Sequence, residues 1–185
     1  MTIVGLDHLY LTVSDFARAE RFYDEVMALL GFRKGDKAIG GDPHAHYFNP
    51  ALQISIRPAR VASRHDPYAP GLHHVCLQAA GRDDVDRAAE ALRARGIEAT
   101  EPRLYPEYNP HYYATFFEDP DGIRLEIVAR SPNRDELAAR WDDLRVFLNP
   151  LAELRAREAG CAPGRSSPAR CGPGDRGDPD EGEAS

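Results

Sequence analysis

Apolar and polar residues follow a regular order in the first third of the chain. Alternation from Ile3 to Val13 predicts a β-strand. Apolar residues then recur at helical spacing up to Leu30, with Ser14 as the predicted N-cap and Gly31 as the stop. The predicted order of this unit is strand, helix and three short strands, the last three around 32–34, 44–48 and 52–57.

The same order of elements returns after a polar, Pro-containing linker over 59–71. A strand begins at Leu72, and a second amphipathic helix over roughly 83–95 ends at Gly96. The remaining predicted strands of this second copy lie at 97–100, 111–117 and 123–129.

Two copies of one supersecondary unit indicate a single α+β domain over 1–130. Its predicted modules span 1–58 and 72–130. Beyond the domain, residues 131–159 have the apolar spacing of a helical extension, whereas Gly, Pro, Ser and charged residues dominate 160–185. We expect this last segment to be a disordered tail.

Composition argues against several classes of partner. The formal net charge of -7 and the sequence pI of about 5.5 disfavour binding to nucleic acid or to an anionic membrane surface. No apolar run approaches the roughly 20 residues of a membrane span, and no signal peptide is evident at the N-terminus. We therefore expect a cytoplasmic protein. The three cysteines lack the spacing of a metal site or of a disulfide framework.

Strand alternation places three residues of metal-binding types on matching strand faces. His8, His74 and Glu126 all point away from the apolar positions of their own strands. His73 falls on the packing side and is expected to be structural. Two imidazoles and one carboxylate suit a divalent first-row metal ion. We therefore predict a metal site on the sheet face that the helices do not cover.

These residues lie in segments that resemble a known group of proteins. The segments are LDHLYLTV at 6–13, LHHVCL at 72–77 and FEDPDGIRLE at 117–126. In them, and over 3–129 as a whole, the chain resembles the vicinal oxygen chelate superfamily. That superfamily includes glyoxalase I, fosfomycin-resistance proteins, methylmalonyl-CoA epimerase, bleomycin-resistance proteins and extradiol ring-cleaving dioxygenases.

The resemblance implies two βαβββ modules that form an open, cup-like mixed β-barrel around one divalent metal ion (Fe, Mn, Zn, Ni or Co). It assigns the metal ligands to His8, His74 and Glu126. Substrates in this superfamily commonly bind through two neighbouring oxygen atoms, and the metal acts as a Lewis acid. Relatives often form homodimers, and some build the cup across two chains. The implied partners are a small-molecule substrate and a second copy of the chain.

Catalytic candidates follow from the same resemblance. Glu126 can leave the metal and act as a base, as in lyases of the family, with Tyr10 assisting as an acid. Extradiol dioxygenases carry a Tyr where this chain has Phe116, and Tyr10, His111 or Tyr113 are candidates to replace it. A lyase or isomerase and a ring-cleaving dioxygenase both remain open.

Two further positions bear on the subfamily. Glyoxalase I has a fourth protein ligand, usually Glu, in the last strand of the first module. Here the match of residues 52–56 to 123–127 puts Ser55 at the position of Glu126, and Gln53 lies one step along the same face. A fourth ligand at either residue therefore stays open. The loop over 102–110 is aromatic instead of cationic. This disfavours a phosphonate and suits either an aromatic substrate or packing of the hairpin.

Together these patterns predict a divalent-metal-dependent enzyme that acts on a small organic substrate through vicinal oxygens. The alternative is a non-catalytic, ligand-sequestering protein of the bleomycin-resistance type, a group that generally lacks the three metal ligands. Substitution of His8 by Ala separates the two hypotheses, because it abolishes activity in the enzyme and leaves sequestration largely intact.

Overall fold

The computed structural model describes residue 3, residues 5–61, residues 63–141 and residue 155. The chain divides into two compact units, Met1–Ala139 and Arg140–Ser185. Both predicted modules belong to the first unit. Most of the predicted helical extension and all of the predicted tail lie outside the described residues.

The first module is a helix packed on a four-stranded mixed sheet, called here the first sheet. Its strand order is β1-β4-β3-β2, with β1 parallel to β4 and the other neighbours antiparallel. The elements are β1 (His8–Val13), α1 (Phe16–Leu29), β2 (Arg33–Ile39), β3 (Asp42–Phe48) and β4 (Gln53–Pro58).

The second module repeats this topology in the second sheet. The strand order is β5-β8-β7-β6, again with the first and last strands of the module parallel. The elements are β5 (His74–Gln78), α2 (Arg82–Ala94), β6 (Arg103–Leu104), β7 (Tyr113–Glu118) and β8 (Arg124–Ala129), followed by α3 (Ser131–Ala139). The predicted α+β class with two βαβββ modules is confirmed. The two sheets are not joined into a closed barrel, and an open, cup-like arrangement is compatible with them.

One predicted strand is misplaced. Residues 97–100 contribute only an isolated bridge between Ala99 and Phe117, and the short strand beside β7 is β6 instead. The reason lies in the side chain of Thr100, whose hydroxyl oxygen accepts the Phe116 backbone N–H at 2.9 Å. A side chain thus takes the bond that a strand carbonyl would otherwise accept.

At the first helix, the predicted C-terminal end is correct and the predicted N-cap is wrong. Gly31 follows α1 with a φ of 80°, in the left-handed region that suits glycine, so the predicted stop is confirmed. The N-cap is Asp15, not Ser14: a side-chain oxygen of Asp15 accepts the Arg18 N–H at 3.0 Å. The Ser14 side chain is directed to Asp121 instead: the Ser14 N–H and hydroxyl both donate to that carboxylate, and its Oγ accepts from Arg18 Nη2 at 3.3 Å.

Both modules share one hydrophobic core. The helix-covered faces of the two sheets meet α1 and α2 in a single cluster, and the two helices contact each other. Because successive side chains of a strand point to opposite faces, the other face of each sheet points outward from this core. Buried residues of the core include Val13, Tyr23, Val26, Ile56, Val85, Leu92 and Leu125.

A buried carboxylate joins the two modules. The hydroxyl of Tyr23 in α1 donates to Asp119 Oδ2 at 2.9 Å, and neither residue is more than 5% exposed. Asp119 Oδ1 accepts the backbone N–H groups of Asp121 and Ile123 at 2.9 and 2.8 Å. The turn between β7 and β8 is thereby held against α1, and Arg18 adds an ion pair to Asp121 at 2.8 Å.

The Tyr23 hydroxyl predicts a loss of stability in alkaline solution. Burial, and then the charge of Asp119, raises the pKa of Tyr23 well above its usual value. The unfolded chain therefore loses this proton first, so the free energy of unfolding falls as pH rises above about 10 towards the raised folded value. We expect urea unfolding at several pH values between about 8 and 11 to show that the free energy of unfolding declines less steeply with pH in Tyr23→Phe than in the wild type. Tyr68 is exposed, so Tyr68→Phe should show the same decline as the wild type. Equal declines in all three proteins would contradict the raised pKa of Tyr23.

Candidate metal centre

His74 and Glu126 meet on the outer face of the second sheet. They lie on the adjacent parallel strands β5 and β8, where Glu126 is in register with Cys76. His74 Nε2 is 3.4 Å from Glu126 Oε2, and Glu126 is only 2% exposed. A carboxylate buried to this degree requires polar or charged partners.

The main partner of Glu126 is a residue that the sequence pattern does not identify. The hydroxyl of Tyr112 donates to Glu126 Oε1 at 2.5 Å and lies 3.9 Å from Cys76 Sγ. Burial raises the pKa of the Cys76 thiol to about 12, and the nearby charge of Glu126 adds to the rise. Burial and the hydrogen bond to Glu126 also raise the pKa of Tyr112. Tyr112 precedes β7, so strand alternation carries no information about its direction.

Each predicted histidine ligand contacts the side chain of the preceding residue through its Nδ1 atom. His74 Nδ1 lies 2.7 Å from His73 Nδ1, and His8 Nδ1 lies 2.8 Å from Asp7 Oδ2. His73 is exposed and contacts His74, so the expected packing role is wrong. A contact at Nδ1 orients an imidazole and leaves Nε2 as its ligand atom, which is a common arrangement around bound metals.

The geometry of the His74–Glu126 pair fits a divalent metal. Donor-to-metal distances of about 2.0–2.2 Å place neighbouring ligand atoms roughly 3.0–3.6 Å apart. The separation of 3.4 Å between His74 Nε2 and Glu126 Oε2 is in this range. Within the described ranges, however, no three His, Cys, Asp or Glu side chains are close enough to hold one ion. A single chain therefore does not bring His8 to the other two.

His8 instead lies on the outer face of the first sheet, beside Tyr10. Their rings are 5.6 Å apart, and Tyr10 is 6.0 Å from both His44 and His46. Tyr10 is in register with Ser55, as Cys76 is with Glu126 in the second sheet. The predicted match of Ser55 to Glu126 is thus supported by the strand register.

The position matching Glu126 is occupied by a hydrogen-bonded network. Ser55 is fully buried, and its hydroxyl oxygen is 2.8 Å from His46 Nδ1 and 2.7 Å from Gln53 Nε2. The Gln53 amide also lies 3.3 Å from His46 Nδ1. Ser55 and Gln53 are therefore engaged with His46 in this structure.

The other catalytic candidates occupy different places. His111 is exposed in the turn before β7, where its backbone N–H donates to Asn109 Oδ1 at 2.9 Å. Tyr113 lies on the helix-covered face, and its hydroxyl donates to Asp86 Oδ1 of α2 at 2.7 Å. The hydrogen bond to Asp86 raises the pKa of Tyr113. Glu126 is on the opposite face of the sheet, so Tyr113 and Glu126 point to different sides.

Aromatic residues surround the outer face near Glu126. The aromatic cluster consists of Tyr105, Tyr108, Tyr112 and Phe116, with ring centroids 5.3–5.9 Å apart where they touch. Phe116 is in register with Glu126, and the Arg103 guanidinium stacks 3.8 Å from the Tyr105 ring centroid. The aromatic loop expected from the sequence thus forms a wall beside the His74–Glu126 pair.

The family relation is clear from the sequence match. Residues 5–127 match the Glyoxalase/Bleomycin resistance protein/Dioxygenase superfamily, more than half of the chain. The chain belongs to this superfamily. No helix in the described part of this superfamily member is long and apolar enough to cross a membrane.

Individual relatives show how far the similarity extends. The chain is 28% identical over 131 residues to the uncharacterised protein YqjT of Bacillus subtilis (strain 168), covering 68% of this chain and 99% of YqjT. It is 30% identical over 128 residues to 2,2',3-trihydroxybiphenyl dioxygenase of Sphingomonas paucimobilis, covering 68% of this chain but 41% of the dioxygenase. A glyoxylase/bleomycin resistance protein/dioxygenase domain from Frankia sp. EAN1pec has a TM-score of 0.59 at 25% identity, covering 69% of this chain and 98% of that domain.

Proposed function

We propose that this protein is a divalent-metal-dependent enzyme that acts on a small organic substrate through two neighbouring oxygen atoms. The observation that carries the proposal is the His74–Glu126 pair. His73 engages His74 Nδ1 and Tyr112 engages Glu126 Oε1, so Nε2 and Oε2 face each other at 3.4 Å. Two ligand atoms held in place in this way suit a bound cation.

When bound, a divalent ion supplies Lewis acidity towards the two oxygen atoms of the substrate. The chain's own groups supply the proton transfers and the binding surface. In a lyase or isomerase reaction of a homodimer, Glu126 would leave the ion and accept a substrate proton at Oε2. The hydroxyl of Tyr10 of the partner subunit, which lies beside the partner's His8, would donate one. The aromatic cluster binds the apolar part of the substrate.

A ring-cleaving dioxygenase is the second branch of the same proposal. It is favoured by the similarity to 2,2',3-trihydroxybiphenyl dioxygenase and by the aromatic cluster, which suits a flat ring. This branch needs a redox-active ion such as iron or manganese, whereas zinc, nickel or cobalt suits the lyase branch. The identity of the bound ion therefore separates the two reactions.

We further propose that His8 of the partner subunit completes the metal site in a homodimer. Among the described residues of one chain, no third His, Cys, Asp or Glu side chain is close enough to share an ion with His74 and Glu126, so His8 of the same chain does not complete the site. Both histidines are on edge strands, β1 and β5. The outer face of the first sheet also exposes Phe48, and Leu6, two residues before β1, is exposed as well. A second chain would cover these apolar groups.

Metal binding tests the proposal directly. We expect the purified protein to bind close to one divalent ion per chain, and Glu126→Gln or His74→Ala to weaken binding more than about 100-fold, because even outer partners of ligands are worth roughly 10–100-fold. Elemental mass spectrometry after dialysis against a weak chelator measures this. Glu118→Gln on the neighbouring strand is the matched control, since Glu118 is exposed.

The ion found then directs the activity assay. Iron or manganese would call for an oxygen-uptake screen with aromatic diols, and zinc, nickel or cobalt for a lyase or isomerase screen. Failure to take up any of these ions would overturn the enzyme proposal and leave the ligand-sequestering alternative.

A further inference from the structure

Tyr112 contacts the oxygen of Glu126 that does not face His74. Its hydroxyl donates to Oε1 at 2.5 Å, whereas Oε2 is the oxygen that faces His74. Such a short bond to a carboxylate is among the stronger hydrogen bonds in proteins. The two oxygens of Glu126 therefore have different surroundings.

The loop before β7 holds the Tyr112 ring firmly. The Tyr112 carbonyl accepts the Tyr105 N–H at 2.8 Å, and its own N–H donates to the Asn109 carbonyl at 3.0 Å. The ring packs edge-on against Tyr108 at 5.3 Å, and the Arg130 guanidinium lies 5.7 Å from its centroid. With only 9% of its surface exposed, Tyr112 has little freedom to move its hydroxyl.

We propose that Tyr112 is a positioning residue that makes Glu126 a one-oxygen metal ligand. It occupies Oε1 and fixes the carboxylate plane, so that only Oε2 is presented towards the ion beside His74 Nε2. Without the hydroxyl, Oε1 would lose this donor and the carboxylate would keep only the weak thiol donor of Cys76 beside it, so its plane would no longer be fixed. The inference rests on the proposed function, because it assumes that the pair binds a metal.

The neighbouring residue provides a matched comparison. Tyr113 also donates its hydroxyl to a carboxylate, Asp86 Oδ1, at 2.7 Å, but on the helix-covered face. Tyr112→Phe and Tyr113→Phe therefore delete the same type of bond one residue apart, and only one of the two carboxylates belongs to the candidate metal centre. A purely structural role would affect both variants alike.

The test is a competition titration of full-length wild type and both variants with Mn²⁺, Co²⁺ and Zn²⁺ against a chelator, with thermal melts alongside. We expect Tyr112→Phe to weaken metal binding roughly 10–100-fold and Tyr113→Phe to leave it unchanged. Equal affinity in wild type and Tyr112→Phe would overturn the positioning role and leave the proposed function standing. Equal weakening in both variants would assign a structural role to Tyr112. No binding by the wild type would overturn the proposed function, and this inference with it.

Discussion

Co-expression of a His8→Ala chain with a Glu126→Ala chain is expected to restore metal sites that neither variant holds alone. In a symmetric dimer with composite sites, about half of the randomly assembled dimers are mixed, and each has one intact site, so about a quarter of the wild-type sites return. The intact site combines the unaltered His8 of one chain with His74 and Glu126 of the other. Different affinity tags on the two chains allow the mixed dimer to be isolated and its metal content measured.

A second mixture serves as the control for this experiment. His74→Ala and Glu126→Ala both damage the second sheet, so their mixed dimers contain no intact composite site. If His8, His74 and Glu126 bound one ion within a single chain, the first mixture would also restore nothing. Recovery in the first mixture and none in the second is the result that composite sites predict. A wild-type protein that sediments as a monomer would contradict the composite site.

Replacement of Asp119 by Ala is expected to lower the free energy of unfolding by roughly 3–5 kcal/mol. The substitution removes the shared acceptor of the Tyr23 hydroxyl and of two backbone N–H groups, from Asp121 and Ile123. Each buried donor left without a partner costs about 1–3 kcal/mol. Burial raises the pKa of Asp119, and the hydrogen bonds from Ile123, Tyr23 and Asp121 act in the opposite direction because they favour the charged carboxylate.

Urea unfolding near neutral pH measures this effect. Glu118→Ala, at the exposed neighbouring position, should change the free energy of unfolding by no more than about 0.5 kcal/mol. In a double-mutant cycle, Tyr23→Phe and Asp119→Ala should be non-additive, because the two residues share one hydrogen bond. Additive losses, or a small effect of Asp119→Ala, would show that the link between the modules is weak.

Local patterns were sufficient for much of the fold. The helix stops at Gly31 and Gly96 were predictable because a positive φ is a property of the glycine itself, and both have values near 80°. Matching residues 52–56 to 123–127 predicted Ser55 as the counterpart of Glu126, and the strand registers agree, because Ser55 pairs with Tyr10 as Glu126 pairs with Cys76. The N-cap and the first short strand of the second module were missed because Asp121 and Thr100 act across the fold.

Part of the candidate site was likewise predictable from local sequence patterns, and part of it was not. Alternation placed His74 and Glu126 on one face of their strands, and the structure brings their side chains to 3.4 Å. Tyr112 was missed because it lies in a loop, where no periodicity indicates the direction of a side chain. Its contact with Glu126 depends on the hydrogen bonds that close the loop between Tyr105 and Tyr112.

From the amino-acid sequence alone, the repeated modules and the face on which each candidate ligand lies can be derived, and three segments carry the resemblance to the superfamily. The modules and the faces are local features, because they depend on the period of two along a strand and 3.6 along a helix. How the two modules stack was decided only by the tertiary structure. With the apolar sides of both sheets and α1 and α2 in one core, the described residues of one chain bring no third His, Cys, Asp or Glu side chain to His74 and Glu126. Each module buries its own apolar face whichever way the two are joined, so the pattern within a module leaves their relative arrangement undetermined.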